Sequence, residues 1–309
     1  MTVYKKILVL PHLVVNNANA WSSPYTAGFP SVCSFGGSVH ALQRKFNQNG
    51  FSDLKIPEFG IISHKFSVRN YREGNYGNYS IIANANPLDK NGERPSFVPE
   101  IKCMMEISLL CEIQRNTDDC EAIEQAAKKL LNSNLRIASG DVITSGNPYA
   151  VTIGSDEDDE AFRRYIIRKL MPGYALIERR ELMIESMKRG NDALNALLEH
   201  LTVIAKPHLN GTEIEIERSR KEKGWLIPIS TGYAAISGTG RAINQRDADT
   251  PHRFAESIVT LGEFRMLHRI NGINTLLWRC SYDTEQGIYC YNQDSNINDE
   301  DDVLDFSMI

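Results

Sequence analysis

The chain has 309 residues, of which 42% are hydrophobic and 24% charged, and its formal net charge is −5. This composition is typical of a soluble globular protein with room for two subdomains, and no apolar run is long enough to span a membrane as a helix. The six cysteines have no paired spacing, which argues against a disulfide framework and favours reduced thiols in a cytoplasmic protein.

The first half of the chain predicts six secondary-structure elements. Apolar and alternating runs predict strands over residues 4–15, 60–69, 101–113 and 135–144, and helical spacing predicts helices over residues 33–47 and 118–133. Pro11 and His12 interrupt the N-terminal apolar run, so a strand is favoured there over a signal peptide. The order strand–helix–strand–strand–helix–strand predicts an α+β fold with a ferredoxin-like, RRM-like core over residues 1–150. The third strand carries Cys103-Met104-Met105 instead of the RRM aromatic consensus, so stacking of bases on this sheet is not expected.

A group of small polar side chains follows the first predicted strand. We call it the amide segment, and it consists of Asn16, Asn17, Asn19, Ser22 and Ser23. It faces the predicted helix start, where N–H groups near Gly36 and Gly37 would be free to bind phosphate or sugar, with Arg44 behind them. Amides donate and accept hydrogen bonds, so they can read base edges or a 2′-hydroxyl. The competing interpretation is that these side chains cap turns where the chain leaves the strand.

A long insertion separates the second and third predicted strands, at about residues 70–100. Thirty-one residues are too many for a tight hairpin, and the composition predicts a projecting β-hairpin with a polar, aromatic tip. Arg69, Tyr71 and Arg72 stand at its start, followed by Tyr76 and Tyr79. Tyr rings and guanidinium planes can stack on unpaired bases, and arginine also neutralises phosphate. A surface loop without a ligand is the alternative.

Residues 151–309 predict a second, irregular α+β region. Helical patterns cover residues 155–169, with Ser155 as the cap, and residues 182–205; strands are predicted over residues 174–178 and 224–229. Thr250 and Pro251 form a helix start signal, after which Phe254, Ile258 and Leu261 would share a buried face. The basic residues Arg241, Arg246, His252 and Arg253 cluster at this start and predict an anion site.

The acidic residues are concentrated in two runs of this second region. Residues 156–160 include five acids and residues 299–305 include five more, and without these ten the chain would carry a net charge of +5. Local patches govern phosphate binding more than the total charge does, so a nucleic-acid partner is not excluded. We expect both runs to be solvated, the second as an acidic C-terminal tail.

Signatures of catalysis and of cofactor binding are scarce in the sequence. No Walker loop, zinc spacing, calcium loop or nucleophile elbow is present, so neither a cofactor nor a metal site is predicted. His12, His40 and His64 lie on the first strand, first helix and second strand and could converge as general bases for RNA cleavage. A structural role for each histidine is favoured.

The chain also resembles a known family. Ordered motifs carry this resemblance: residues 10–46, Met105-Glu106-Ile107-Ser108-Leu109-Leu110, Leu170-Met171-Pro172-Gly173-Tyr174-Ala175-Leu176, Gly224-Trp225-Leu226-Ile227-Pro228-Ile229 and Thr250-Pro251-His252-Arg253-Phe254. They are similar to those of the RAMP-superfamily subunit that holds the 5′ handle of the guide RNA in type I-F CRISPR surveillance (Csy) complexes. The match covers most of the chain, apart from residues 208–223 and the tail.

The resemblance implies a non-catalytic subunit with a RAMP core, whose insertion acts as a thumb over the CRISPR RNA. It also implies three partners besides the 5′ handle: the large subunit, with which the chain would form a heterodimer, the first backbone subunit, and target DNA through the assembled complex. In type I-F systems a different subunit is assigned the cleavage of guide RNA. A RAMP-type guide-RNA endoribonuclease is the alternative function, and a scaffold that contacts protein but little RNA is a third.

Overall fold

The fold was analysed in a computed structural model. It describes residues 4–74, 77–81, 83–84, 88, 91–94, 98–116, 119–133, 135–154, 159–210, 213–243, 245, 247 and 249–293. Arg246, Tyr76, Ser155 and the acidic C-terminal tail, which the sequence analysis singled out, lie outside these residues, as do acids 156–158.

The described residues form a mixed α+β fold, as predicted. The elements of the first half are β1 (Tyr4–Asn19), β2 (Trp21–Ser23), β3 (Thr26–Ala27), α1 (Val32–Gln48), β4 (Glu58–Val68), β5 (Asn70–Arg72), β6 (Tyr79–Ile81), β7 (Ala83–Asn84), β8 (Val98–Pro99), β9 (Lys102–Glu112), α2 (Cys120–Leu131), β10 (Arg136–Ile137), β11 (Gly140–Thr144) and β12 (Tyr149–Gly154). Those of the second half are a π-helical turn (Phe162–Ile167) that continues into α3 (Arg168–Leu170), β13 (Tyr174–Glu178), α4 (Arg180–Lys188), α5 (Ala193–Leu201), β14 (Ile204–Asn210), β15 (Glu213–Ser219), β16 (Trp225–Ala235), β17 (Ala255–Met266), two 3-10 turns (Leu267–Arg269 and Ile273–Leu276), β18 (Trp278–Asp283) and β19 (Ile288–Gln293).

The centre of the molecule is an antiparallel sheet in which β11, β1, β9 and β4 are neighbours in that order. Alternate residues of each strand face opposite sides. On one side, Leu8 and Leu10 of β1 pack with Phe35 of α1 and Ile123 of α2 in the larger core. Burial of this face against the two amphipathic helices stabilises the sheet, because apolar area is removed from water.

The opposite side of the sheet is covered over part of its length. Ile7, Val9 and Leu110 pack there against Phe162 and Ile166 of the π-helical turn. This cover stops before the far end of the sheet. Met104 of β9 is 51% exposed and Ile143 of β11 is 59% exposed, so that end remains open to solvent.

Strands of the second half join the same sheet through β4. One edge of β4 pairs with β9, and the other pairs first with β18 and then with β13, through Trp278↔Phe59 and Ala175↔Ile62. The strands β4, β13, β17, β16, β19 and β18 thereby close into a ring. The side chain of Arg279 pairs with Glu58 at this closure.

Two of the predicted elements are wrong. Residues 135–144 form the hairpin of β10 and β11 instead of one strand, because Ala138 and Ser139 adopt left-handed backbone angles and reverse the chain. The described residues directly after Thr250 are not helical. Residues 255–266 are strand β17, which pairs with β13 and β16, and Phe254 is 61% exposed instead of buried. Long-range pairing of the β-branched residues from Ile258 to Thr260 overrides the local helix start signal.

The other predicted helices and strands are confirmed with shifted bounds. The helix predicted over residues 33–47 is α1, that over residues 118–133 is α2, and residues 182–205 hold α4 and α5. The predicted strand over residues 224–229 continues to Ala235 as β16. Residues 162–170 are helical, as expected for the segment after the acidic run.

Candidate nucleic-acid interface

A bulge near the end of β1 exposes one of the asparagines. The register to β9 shifts between Val15 and Ala18, and Asn17 between them has a φ of +59°. Asparagine tolerates this left-handed conformation better than most residues. The Asn17 side chain is exposed, while the Oδ1 atom of Asn16 accepts a 2.7 Å hydrogen bond from Nη2 of Arg69. The end of β1 and the residue before β5 therefore form one polar surface.

The rest of the amide segment makes bonds within its own turn. Asn19 donates from Nδ2 to the Trp21 carbonyl and accepts from the Trp21 N–H, both at 3.1 Å. The hydroxyls of Ser22 and Ser23 each lie 2.7 Å from Oγ1 of Thr26. These contacts are those of side chains that hold a turn, as the competing interpretation expects.

The helix start does not offer the predicted N–H groups to this surface. Gly36 and Gly37 lie inside α1, where backbone N–H groups bond to carbonyls four residues earlier. Gly36 has a packing role: a Cβ placed on it would lie 2.3 Å from the ring of Tyr291. Arg44 is exposed near the other end of α1, where the N–H of Ile56 bonds to Gln43.

Arg44 is therefore remote from the amide segment. Gln43 lies beside the residues that precede β4, whereas Arg69 follows the last residue of β4. An eleven-residue strand is about 35 Å long at 3.3 Å per residue. The structure does not bring Arg44 together with Asn16 and Arg69.

The insertion begins with an antiparallel hairpin of β5 and β6, in which all six strand residues are exposed. Tyr71 is 59% exposed and Tyr79 is 67% exposed. The guanidinium of Arg72 lies 5.1 Å from the centre of the Tyr79 ring, and its Nε donates to the Gly77 carbonyl at 2.8 Å. Tyr79 and Arg72 are thus already stacked against each other, and Tyr71 presents a ring to solvent.

The open end of the sheet beside Asn16 carries charges that the sequence analysis missed. Lys65 of β4 and Glu106 of β9 form a 3.0 Å ion pair, and the Lys65 side chain is 81% exposed. The hydrogen bonds from Lys65 and then from His12 lower the pKa of Glu106. The two residues lie on adjacent strands but are forty-one positions apart, so only the register between β4 and β9 reveals the pair.

Two of the three candidate histidines meet on this sheet face. The rings of His12 and His64 are stacked, with centroids 4.3 Å apart. Ser108 Oγ lies 2.7 Å from Nε2 of His64 and accepts a hydrogen bond from the backbone N–H of His12. The Pro172 carbonyl accepts from Nδ1 of His64, so a neutral His64 carries its proton there and Nε2 accepts from Ser108. Burial, which is the largest cause, lowers the pKa of His64 and keeps the ring neutral.

This arrangement occupies both ring nitrogens of His64 with structural bonds. His12 donates to Glu106 from Nδ1 at 2.9 Å. His40 is exposed on α1, which packs on the opposite side of the sheet. The three histidines therefore do not surround one reacting phosphate.

The late basic cluster lies along a hairpin instead of at a helix start. His252 pairs with Gly240, and Nε of Arg253 donates to the Ser237 carbonyl at 2.9 Å. Arg241 is exposed near the tip of the same hairpin. Because no helix begins here, the predicted contribution of helix N–H groups is wrong.

In the described part of the chain, no group of three or more His, Cys, Asp or Glu side chains could hold a metal ion. All six cysteines are free thiols, and burial raises the pKa of Cys33 and Cys103 to about 11 and that of Cys111 to about 12. No helix among the residues described has the length and apolarity needed to cross a membrane.

Comparisons with known proteins identify relatives that match most of the chain. The family model described as CRISPR-associated protein (Cas_Csy2) matches residues 8–291. The CRISPR-associated protein Csy2 of Pseudomonas aeruginosa (strain UCBPP-PA14) is 32% identical over 309 aligned residues, which cover 92% of this chain and 94% of the relative. The matched region includes the open sheet end, the insertion and the late hairpin.

Proposed function

The chain belongs to the CRISPR-associated Csy2 family, and from this premise we propose that it is a non-catalytic RNA-binding subunit of a type I-F CRISPR surveillance complex. In this role it caps the 5′ handle of the guide RNA. Its partners are the large subunit, with which it forms a heterodimer, and the first backbone subunit. It meets target DNA through the assembled complex, and it works in the cytoplasm.

The strand order supports a ferredoxin-like RAMP core for this role. Numbered along the chain, β1, β4, β9 and β11 are the first, second, third and fourth strands of this core. In the sheet they lie in the order fourth, first, third, second, and every neighbouring pair is antiparallel. A strand–helix–strand–strand–helix–strand chain gives this order when both helices pack on one side, as α1 and α2 do here. Fold alone does not assign function, so the argument for RNA rests on the surface residues.

The observation that carries the proposal is the hydrogen bond between Arg69 and Asn16. It places the Asn16 amide and the Arg69 guanidinium at the base of the β5–β6 hairpin, which carries the exposed ring of Tyr71. Unpaired RNA is recognised by this combination, because rings stack on bases while arginine meets phosphate and amides read base edges. Lys65, which is 81% exposed and paired with Glu106, lies on the adjoining sheet face.

A catalytic role receives no support from the same surface. RNA cleavage by general acid–base chemistry needs a base with a free nitrogen within reach of the 2′-hydroxyl. His64 is neutral and bonded at both nitrogens, and His40 lies on the other side of the sheet. The bonds of His12 and His64 favour a structural role, in which they fix β1, β4 and β9 beneath the interface.

The proposal is tested by assembling the complex. The chain is co-expressed with the large subunit, the backbone subunit and a guide RNA, and the purified complex is treated with ribonuclease before its RNA is sequenced. We expect the 5′ handle to be protected when the chain is present and degraded when the chain is omitted. Equal protection of the handle in both preparations would contradict the proposed function.

A further inference from the structure

Three tyrosines stand in a row across three neighbouring strands of the second region. Tyr233 of β16 is directly opposite Tyr289 of β19, and Tyr289 is directly opposite Tyr282 of β18. Residues opposite each other in antiparallel strands project their side chains to the same face, with Cβ atoms about 5 Å apart. All three side chains are exposed: Tyr233 by 41%, Tyr289 by 37% and Tyr282 by 62%. We call this group the tyrosine row.

The core ends immediately beside the tyrosine row. Tyr291, two residues after Tyr289 and on the same face, is buried against Gly36 of α1. The start of α1 lies over β16, where the thiol of Cys33 donates to the Thr231 carbonyl at 3.3 Å. In the described chain, α1 thus covers the sheet up to Tyr291 and leaves the next row of rings in solvent.

A guanidinium lies on the same face as the tyrosine row. Ala235 is opposite Ala255, so Arg253, two residues before Ala255, projects to the face that also carries Tyr233. Its Nη1 atom lies over Gly287, where an added Cβ would be only 2.5 Å from it and 2.7 Å from the Cβ of Ala235. Ala235 and Gly287 form a floor of small residues between the guanidinium and the three rings.

The guanidinium of Arg253 has N–H donors beyond the one that the fold uses. Among the described residues, its recorded hydrogen bond is the one from Nε to the Ser237 carbonyl, which orients the side chain. Asp283, which precedes the adjacent turn, accepts the N–H groups of Glu285 and Gln286. Glu256 is opposite Ala234 and therefore projects to the other face of the sheet.

We propose that the tyrosine row and Arg253 form a second binding surface, one that stacks unpaired RNA bases on the rings and holds the adjoining phosphate with the guanidinium. The rings each carry a hydroxyl and lie beside a shallow floor of small residues, with a cation at one end. This arrangement suits flat bases on a charged backbone better than it suits an apolar protein segment. The surface builds on the proposed role in guide-RNA binding, but it uses neither the amide segment nor the β5–β6 hairpin. It also supplies the aromatic rings that the third strand of the core lacks.

The test measures binding of fluorescein-labelled hexauridylate to the full chain by fluorescence anisotropy. We expect Tyr282→Ala to weaken binding about 5-fold to 150-fold, the range for one stacked base, and Tyr282→Phe to retain it. Arg253→Gln should weaken binding and flatten its dependence on salt concentration. Tyr4→Ala is the matched control, since Tyr4 is 68% exposed at the far start of β1, and it should bind as the wild type does.

Each other outcome overturns the proposal. Absence of hexauridylate binding by the wild type, or equal binding by all Tyr282 and Arg253 variants, would show that this surface does not bind RNA. Normal RNA binding together with loss of a co-purifying subunit would show a protein interface instead. Handle binding that depends on Arg69 but not on Tyr282 would leave the proposed function standing while this inference fails. Thermal melts of Tyr282→Ala verify that the variant is folded.

Discussion

Nη2 of Arg69 donates a 2.7 Å hydrogen bond to Oδ1 of Asn16, which joins the end of the first strand to the start of the inserted hairpin. The two residues are fifty-three positions apart and both lie at the rim of the open sheet end. An exposed bond of this kind adds at most about 1 kcal/mol to stability. Its consequence is positional, since it holds the guanidinium and the amide next to each other.

The β5–β6 hairpin gives a prediction about stacking. Tyr71→Ala should weaken guide-RNA binding by about 1–3 kcal/mol, because one stacked base loses its ring, and Tyr71→Phe should restore binding. The measurement is guide-RNA affinity of the assembled complex by anisotropy. Tyr4→Ala serves again as the exposed tyrosine control. Identical affinities for Tyr71→Ala and the wild type would exclude stacking by this residue.

The amide segment predicts two separable phenotypes. Ser23 is 5% exposed and its hydroxyl bonds to Thr26, so Ser23→Ala should lower the free energy of unfolding by about 1–2 kcal/mol and leave handle preference unchanged. Asn17 should show the opposite behaviour, a loss of binding without a loss of stability. Asn17→Gly accepts the positive φ and should keep the melting temperature while it weakens handle binding.

These two variants are compared by thermal melting and by binding to cognate and scrambled handles. The reverse pattern, in which Ser23→Ala changes handle preference and Asn17→Gly does not, would show that the turn rather than the exposed amide determines recognition.

The buried carboxyl group of Glu178 predicts a pH dependence of stability. Its side chain is 7% exposed, and burial raises its pKa from 4.5 to about 7. The folded state therefore binds a proton more tightly than the unfolded state, and this group's contribution to stability is lost as pH rises from 4.5 to 7. Glu178→Gln should be the more stable protein at pH 8, by up to about 3 kcal/mol.

Chemical denaturation at pH 5 and pH 8 checks this prediction. The advantage of Glu178→Gln should shrink toward pH 5, where the wild-type carboxyl group is protonated. The amide oxygen of glutamine can still accept the N–H of Gln293, which bonds to Glu178 at 3.1 Å. A difference that does not vary with pH would show that Glu178 titrates normally.

The histidine pair predicts structural rather than catalytic defects. His64→Ala removes the acceptor of the Ser108 O–H and the side-chain donor to the Pro172 carbonyl, so it should lower the free energy of unfolding by about 1–3 kcal/mol. Purified wild type, His12→Ala and His64→Ala are incubated with labelled repeat RNA. We expect no specific cleavage by any of them, and cleavage that vanishes with one substitution would support the endoribonuclease alternative.

Local sequence patterns predicted the elements whose signals agree with their tertiary surroundings. The apolar periodicity of residues 33–47 and 118–133 predicted α1 and α2 because each helix buries the face that its own pattern defines. The helix predicted to start at Thr250-Pro251 does not form, because its local signal disagrees with its tertiary surroundings. The start signal is local, whereas Ile258 and Val259 pair with β16 residues some thirty positions earlier.

The site was predicted less completely than the fold, because its contacts depend on register. Arg69 and Asn16 were both identified as candidates, but nothing in the sequence indicates that they meet. The pairs Lys65–Glu106 and Tyr233–Tyr289 become visible once strand pairing is known. Gly36 was assigned to anion binding because short glycine motifs are frequent at such sites, whereas here it makes room for Tyr291.

The most direct test of the account compares binding of the cognate 5′ handle and a scrambled RNA of equal length to the chain co-purified with the large subunit. Wild type, Arg69→Ala, Asn16→Ala and the double variant are titrated. Arg189→Ala, directly after α4, is the arginine control; Arg189 pairs with Glu199. We predict a preference for the cognate handle that Arg69→Ala reduces about 10-fold, with less than the additive loss in the double variant. Equal affinity for both RNAs, in the wild type and in every variant, would contradict the claim that this surface recognises the handle.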